Sequence, residues 1–151
     1  MTATITTEGQ QRIMGILAHA KAGDLAEKFA HLADVPEWQF IRRPETGLVM
    51  VRGRIAAEGA SFNFGEATVT RAVVALDSGE TGFAYALGRD QQKAERSAIV
   101  HALWKRQDFR DAVETVVLQP LEQKLDEADD KTRGEVAATK VDFFTLMRGD
   151  D

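Results

Sequence analysis

The chain has 151 residues with 44% hydrophobic and 28% charged content, which bounds it to one globular domain able to close its own core. It has no cysteine, so disulfides, thiolate nucleophiles, zinc–thiolate sites and iron–sulfur clusters held by this chain alone are excluded. A net charge of −5 argues against broad nucleic-acid binding, which needs a basic surface to displace counterions.

The start, Met1-Thr2-Ala3-Thr4-Ile5, lacks a basic n-region and is followed by no long apolar run, so no secretory signal is expected. Charges interrupt every apolar stretch well short of a membrane span. The expectation is a soluble cytoplasmic protein with no nucleic-acid or membrane partner.

In chain order, Ile13, Ile16, Leu17 and Ala20 recur at helical spacing and predict an amphipathic helix from about Glu8 to Lys21. Gly23 breaks it. Asp24 is placed to cap a second helix carrying Leu25, Phe29 and Leu32 on one face, which Pro36 stops. The period then changes. Trp38 to Arg43 alternates as a short strand, Pro44-Glu45-Thr46-Gly47 reads as a turn, and Leu48 to Ile55 reads as a strand with Val49, Val51 and Ile55 on one side. Gly53 suits a close approach of another backbone. Phe62 and Phe64 share a face of the next segment, and Thr68 to Leu76 is a further strand. Asp77-Ser78-Gly79-Glu80 predicts a hairpin turn with Gly79 at positive φ. Thr81, Phe83, Tyr85 and Leu87 alternate with Gly82, Ala84 and Ala86, so one face of that strand is bulky and the other bare, as under a packed helix.

The last third is helical. Asp90 is a cap for a helix to about Arg106, with Ala94, Ala98, Ile99, Ala102 and Leu103 inward. Asp108 is read as the cap of another, with Phe109, Val113, Val116 and Val117 as its apolar set. Pro120 breaks or restarts that helix, and a charged helix continues to near Ala138. These elements give an α+β fold: an antiparallel meander sheet in the middle of the chain, with N- and C-terminal helices packed on it. The whole chain, 1–151, is one domain, with 141–151 as an apolar tail.

No Walker, Gly-x-Ser-x-Gly or Gly-x-Gly-x-x-Gly pattern is present, and His19, His31 and His101 show no metal-ligand spacing. No catalytic residue and no metal site can be picked out, and each histidine is read as structural or exposed. From Glu37 to Arg89 every basic residue is arginine: Arg42, Arg43, Arg52, Arg54, Arg71 and Arg89. Arginine's planar fork suits carboxylates and phosphates. Arg42, Arg54, Arg71 and Arg89 are therefore the candidate substrate- or anion-binding residues, against the plainer reading of ion pairs with neighbouring glutamates. Gly88-Arg89-Asp90 stands where a strand gives way to a helix, a place suited to an anion unless Asp90 caps the free N–H groups itself. Phe143, Phe144, Leu146 and Met147 are the candidate partner-interface residues. They are apolar at a terminus, where a fold-back onto the core and a dock onto a partner are both open.

Four pieces in order carry a resemblance: Arg42…Glu45-Thr-Gly-Leu-Val49, Phe64-Gly-Glu-Ala-Thr-Val-Thr-Arg-Ala72, Gly88-Arg-Asp90…Ala94-Glu-Arg96, and Val141-Asp-Phe-Phe-Thr145…Arg148-Gly-Asp150. Over nearly the whole chain this resembles the PhnG family, the G subunit of the carbon–phosphorus lyase core complex. The resemblance implies a role in phosphonate catabolism. With H, I and L partners, the family's complex transfers the ribose triphosphate of ATP onto an alkylphosphonate and releases adenine. A separate J subunit later cleaves the carbon–phosphorus bond by radical chemistry with S-adenosylmethionine and an iron–sulfur cluster. The implied role is a non-catalytic or accessory subunit with no cofactor of its own, ATP being a substrate of the complex. The implied partners are the H, I and J subunits of the core complex, with I the direct contact, and the isolated chain is expected to self-associate. Two other readings stay open. Arginines of this chain could reach the triphosphate or phosphonate, or the chain could be a free-standing homo-oligomeric binder of small anions such as phosphate or phosphonate.

Overall fold

The computed structural model describes residues 5–56 and 58–140. Three strands form one antiparallel sheet in the order β1-β2-β3: β1 is Trp38–Arg54, β2 is Ser61–Leu76 and β3 is Thr81–Leu87. Two helices precede the sheet, α1 (Thr7–His19) and α2 (Ala22–Ala30). Three follow it: α3 (Gln91–Lys105), α4 (Gln107–Val113) and α5 (Gln119–Ala138), the last two joined by a π-helical turn at Glu114–Leu118. This is the α+β meander expected from the sequence. The apolar tail lies outside the described residues.

The core is built where α3 crosses the sheet. Ala94, Ala98, Ile99, Ala102 and Leu103 are buried, as their spacing predicts, against Ala72, Val74 and Leu76 of β2 and Ala84 of β3. The bare face of β3 is what lets the helix in. A Cβ built on Gly82 would stand 1.8 Å from the Ala98 carbonyl oxygen and 2.6 Å from the Ala102 nitrogen. Ile13, Ile16 and Leu17 of α1, Leu25 of α2, and Val113, Val117, Leu118 and Leu121 of the C-terminal helices complete the core. All the helices lie on one side. The bulky side of β3 faces solvent, with Phe83, Tyr85 and Leu87 exposed.

Two ends behave as read. Asp90 caps α3 by accepting from the Lys93 N–H at 2.9 Å. Gly79 takes φ +103° in the β2–β3 turn, and its N–H donates to the Leu76 carbonyl at 3.0 Å.

Other expectations need correction. Pro44-Glu45-Thr46-Gly47 is not a turn, because β1 runs through it as one 17-residue strand with register shifts between Phe40 and Arg42 and between Arg42 and Glu45. A bulge accepts the missing proline N–H and bends the strand without reversing it. Asp24 is not a cap: Lys21 holds that position, and Asp24 instead accepts from Lys124 Nζ at 2.7 Å. Asp108 likewise lies in the first turn of α4, two residues past the N-cap position, which Arg106 holds and with which it pairs at 2.8 Å. Gly53 is approached by a side chain, since its absent Cβ would lie 2.8 Å from the Phe64 ring. Pro120 stands in the first turn of α5, as read, but the chain reaches it without a break. The π-helical turn just before it, closed by the Gln119 N–H on the Glu114 carbonyl, takes up the backbone that the proline would otherwise disrupt.

Candidate functional site

Beyond the helices the sheet narrows to two strands. β2 pairs with β3 only from Val69 to Ala75, whereas its pairing with β1 continues to Arg54 and Ser61. The result is a two-stranded arm. None of its described residues from Glu45 to Glu66 is buried, although it carries Leu48, Met50, Phe62 and Phe64. Leu48 and Met50 share the parity of Thr46, whose hydroxyl meets that of buried Thr70 at 3.0 Å, so they continue the helix-bearing face past the last helix. Phe62 and Phe64 sit together near the tip, ring centroids 6.0 Å apart.

The bulged part of β1 marks the root of the arm. There Glu45 stands opposite Arg71, and one oxygen of its carboxylate accepts from Arg71 Nε at 2.6 Å and Arg42 Nη1 at 2.7 Å. The two guanidiniums, Arg71 first, hold the Glu45 carboxyl below the usual carboxylate range. All three groups are about half exposed, so the cluster orders the strand more than it stabilises it. A depression of about 280 Å³ beside it is lined by Thr46, Leu48, Val69, Arg71 and Tyr85.

The four candidate arginines do not converge. Arg42 and Arg71 meet on Glu45. Arg54 ends β1, twelve residues beyond Arg42 and roughly 35–40 Å away along an extended strand. Arg89 lies in the turn after β3 and, like Arg54, makes no ion pair among the described residues. The neighbouring helix start is occupied by Asp90, as its capping bond shows. The candidate interface residues Phe143, Phe144, Leu146 and Met147 fall outside the described residues.

The histidines have plain roles. His19 Nδ1 lies 2.8 Å from the Gly15 carbonyl, and His31 is exposed. His101 is fully buried, and the Phe83 N–H on the free edge of β3 donates to its Nδ1 at 3.1 Å. That bond places the ring proton on Nε2, which has no partner among the described residues; the 3.3 Å approach of Nδ1 to the Phe83 carbonyl needs the opposite tautomer and is the weaker contact. Burial first, and then Lys105, push His101 down to about 4, so it is neutral in the fold. Lys105 Nζ donates to the Thr81 carbonyl on the same edge at 2.8 Å. Among the described residues no three His, Asp or Glu side chains gather as a metal site, and no helix is long and apolar enough to cross a membrane.

A second polar cluster ties the helices together. Arg12 of α1 grips Glu122 of α5 through Nη2 at 2.6 Å and Nε at 3.0 Å, and reaches Glu114 at 3.2 Å. Glu114 also accepts from Trp104 Nε1 at 2.8 Å. Neither cluster pairs a nucleophile with a base, and what the arrangement offers to chemistry is surface. The family model described as phosphonate metabolism protein PhnG matches residues 8–149.

The chain belongs to the PhnG family. A PhnG relative from Rhizobium meliloti (strain 1021) is 46% identical over 138 residues, covering 91% of this chain and 88% of that protein. That relative is named alpha-D-ribose 1-methylphosphonate 5-triphosphate synthase subunit PhnG. Sequence reasoning identified the family but missed the arm. Its signal is Leu48-Val49-Met50-Val51, which on composition alone reads as buried strand.

Proposed function

We propose that this PhnG-family chain is an accessory, non-catalytic subunit of a complex that transfers the ribose triphosphate of ATP to an alkylphosphonate and releases adenine, in phosphonate catabolism. The observation that carries the reading is the likeness to a named synthase subunit across almost the whole length of both chains. The fold is in keeping with it. Arg42 and Arg71 are engaged by Glu45, His101 is spent on a backbone bond, and the exposed features are an apolar arm and an open sheet face. Surface of that kind suits assembly.

On this reading the partners are the H, I and J subunits of the core complex, with I in direct contact, and the location is the cytoplasm. No cofactor is held by this chain, and ATP is a substrate of the assembly. The isolated chain self-associates, through apolar surface away from the arm such as the open face of β3. The test is co-purification of the tagged full-length chain with co-expressed H, I and J subunits. A stable assembly is expected; a chain that elutes alone overturns the proposal.

A further inference from the structure

We infer that the arm docks by taking an extended segment of a partner subunit onto the free edge of β1, and that this segment is apolar in its middle and acidic at both ends. The inference rests on the accessory-subunit reading above and names the surface and chemistry of the contact.

β1 is the edge strand of the sheet, and among the described residues nothing pairs with its outer side. Proteins guard such edges with bulges, prolines and charges. The first half of β1 has all three: its register shifts, Pro44, and Arg42 with Arg43. The second half has no such guard in its centre. Gly47 to Val51 pairs with β2 in unbroken register, and the shift that follows falls on β2, where Phe64 has no partner opposite. β1 therefore carries no bulge of its own along Leu48-Val49-Met50-Val51, with Leu48 64% and Met50 65% exposed. An unbulged, apolar, unguarded edge is a template for an added strand.

The charges select the occupant. β1 carries four arginines, Arg42, Arg43, Arg52 and Arg54, and one acid, Glu45, which is already shared by two arginines. The arginines bracket the apolar run on both sides. A second copy of β1 laid antiparallel on this edge would bring arginine-rich ends towards one another, a like-charge contact that disfavours pairing. A partner strand with acidic residues flanking alternate apolar ones meets both features. It adds ladder bonds along Gly47–Val51, sets its apolar side chains beside Leu48 and Met50, and gives Arg52 and Arg54 carboxylates that they lack among the described residues. Arg52 has only Asn63 Oδ1, at 3.2 Å.

The test uses the full-length chain co-expressed with the H, I and J subunits, as wild type, Met50→Glu, and Arg52→Glu with Arg54→Glu. Because no described arm residue is buried, both variants should unfold thermally as the wild type does. Each should recover at least tenfold less complex, and wild-type assembly should weaken as salt rises. Hydrogen exchange on the wild type provides a readout independent of any variant: the Gly47–Val51 amides should gain protection on assembly. Undiminished assembly of both variants, or no gain in protection, overturns the arm proposal and leaves the accessory-subunit reading standing. Failure of the wild type to assemble overturns both. Edge amides already protected in the isolated chain, and freed by dilution or by truncation after Lys140, would assign the edge to a second copy or to the chain's own tail and overturn the proposal.

Discussion

Gly82→Ala puts the packing of α3 on β3 under direct test. The new Cβ would stand 1.8 Å from the Ala98 carbonyl oxygen, 2.6 Å from the Ala102 nitrogen and 2.8 Å from the Ala102 Cβ. Two of those atoms are backbone, so no rotamer change relieves the clash. The helix must retreat by about 1.5 Å to restore ordinary contact near 3.4 Å. Overpacking of this kind costs roughly 1–3 kcal/mol. The same retreat stretches two bonds that cross the interface, Phe83 N–H to His101 Nδ1 at 3.1 Å and Lys105 Nζ to the Thr81 carbonyl at 2.8 Å. Each is worth about 1 kcal/mol. The expected loss is at most about 3–5 kcal/mol, a fall in Tm on the order of 10 °C for a chain of this size. Thermal unfolding followed by circular dichroism measures it. Gly15→Ala is the control, because nothing lies within 4 Å of the new methyl in the middle of α1. It should stabilise by about 1 kcal/mol. A Gly82→Ala protein melting within about 2 °C of the wild type would refute the packing argument.

Three further outcomes are expected. His101 is held near 4 in the fold against an unfolded value of 6.5, so the unfolded chain binds the extra proton as pH falls. Stability from this group is full above pH 6.5 and is lost between there and about pH 4, by about 3 kcal/mol in all; urea unfolding across that window should show the slope, and His101→Gln should remove it. Arg12→Ala frees Glu114 and Glu122 on a part-exposed surface, so it should cost only about 0.5–1 kcal/mol, and the difference from wild type should shrink in high salt. Glu45→Gln should leave Tm nearly unchanged, since the group is exposed, but should loosen the bulge that Arg42 and Arg71 share; faster hydrogen exchange at Glu45–Gly47 is the readout.

Much of the fold could be read from periodicity because its core is regular. The inward set on α3 and the alternation of Gly82, Ala84 and Ala86 with Phe83, Tyr85 and Leu87 are each one face of one element. The reading failed where a residue's local preference met tertiary context. Pro44 and Gly47 favour a turn, but pairing with β2 carries the strand through them by a bulge. Pro120 does open α5, but the π-helical turn that leads into it has no local signal. Asp24 and Asp108 favour caps, yet each is drawn to a cation, Lys124 and Arg106. For the site, the arginine bias between Glu37 and Arg89 was visible, and its pairing with neighbouring glutamates holds for Arg42 and Glu45, three residues apart; that Glu45 also holds Arg71 follows from the strand register, which nothing local gives. The arm was invisible for a physical reason: apolar alternation is the same whether a strand is covered by its own helices or by another chain.

Adenine release from ATP and methylphosphonate tests the accessory-subunit claim most directly, measured for the isolated full-length chain, for the co-expressed H, I and L subunits without it, and for the two combined. The account predicts no adenine from this chain alone and release by the combined assembly that exceeds what the partners achieve without it. Adenine released by the isolated chain, or partner activity that its addition leaves unchanged, would contradict it.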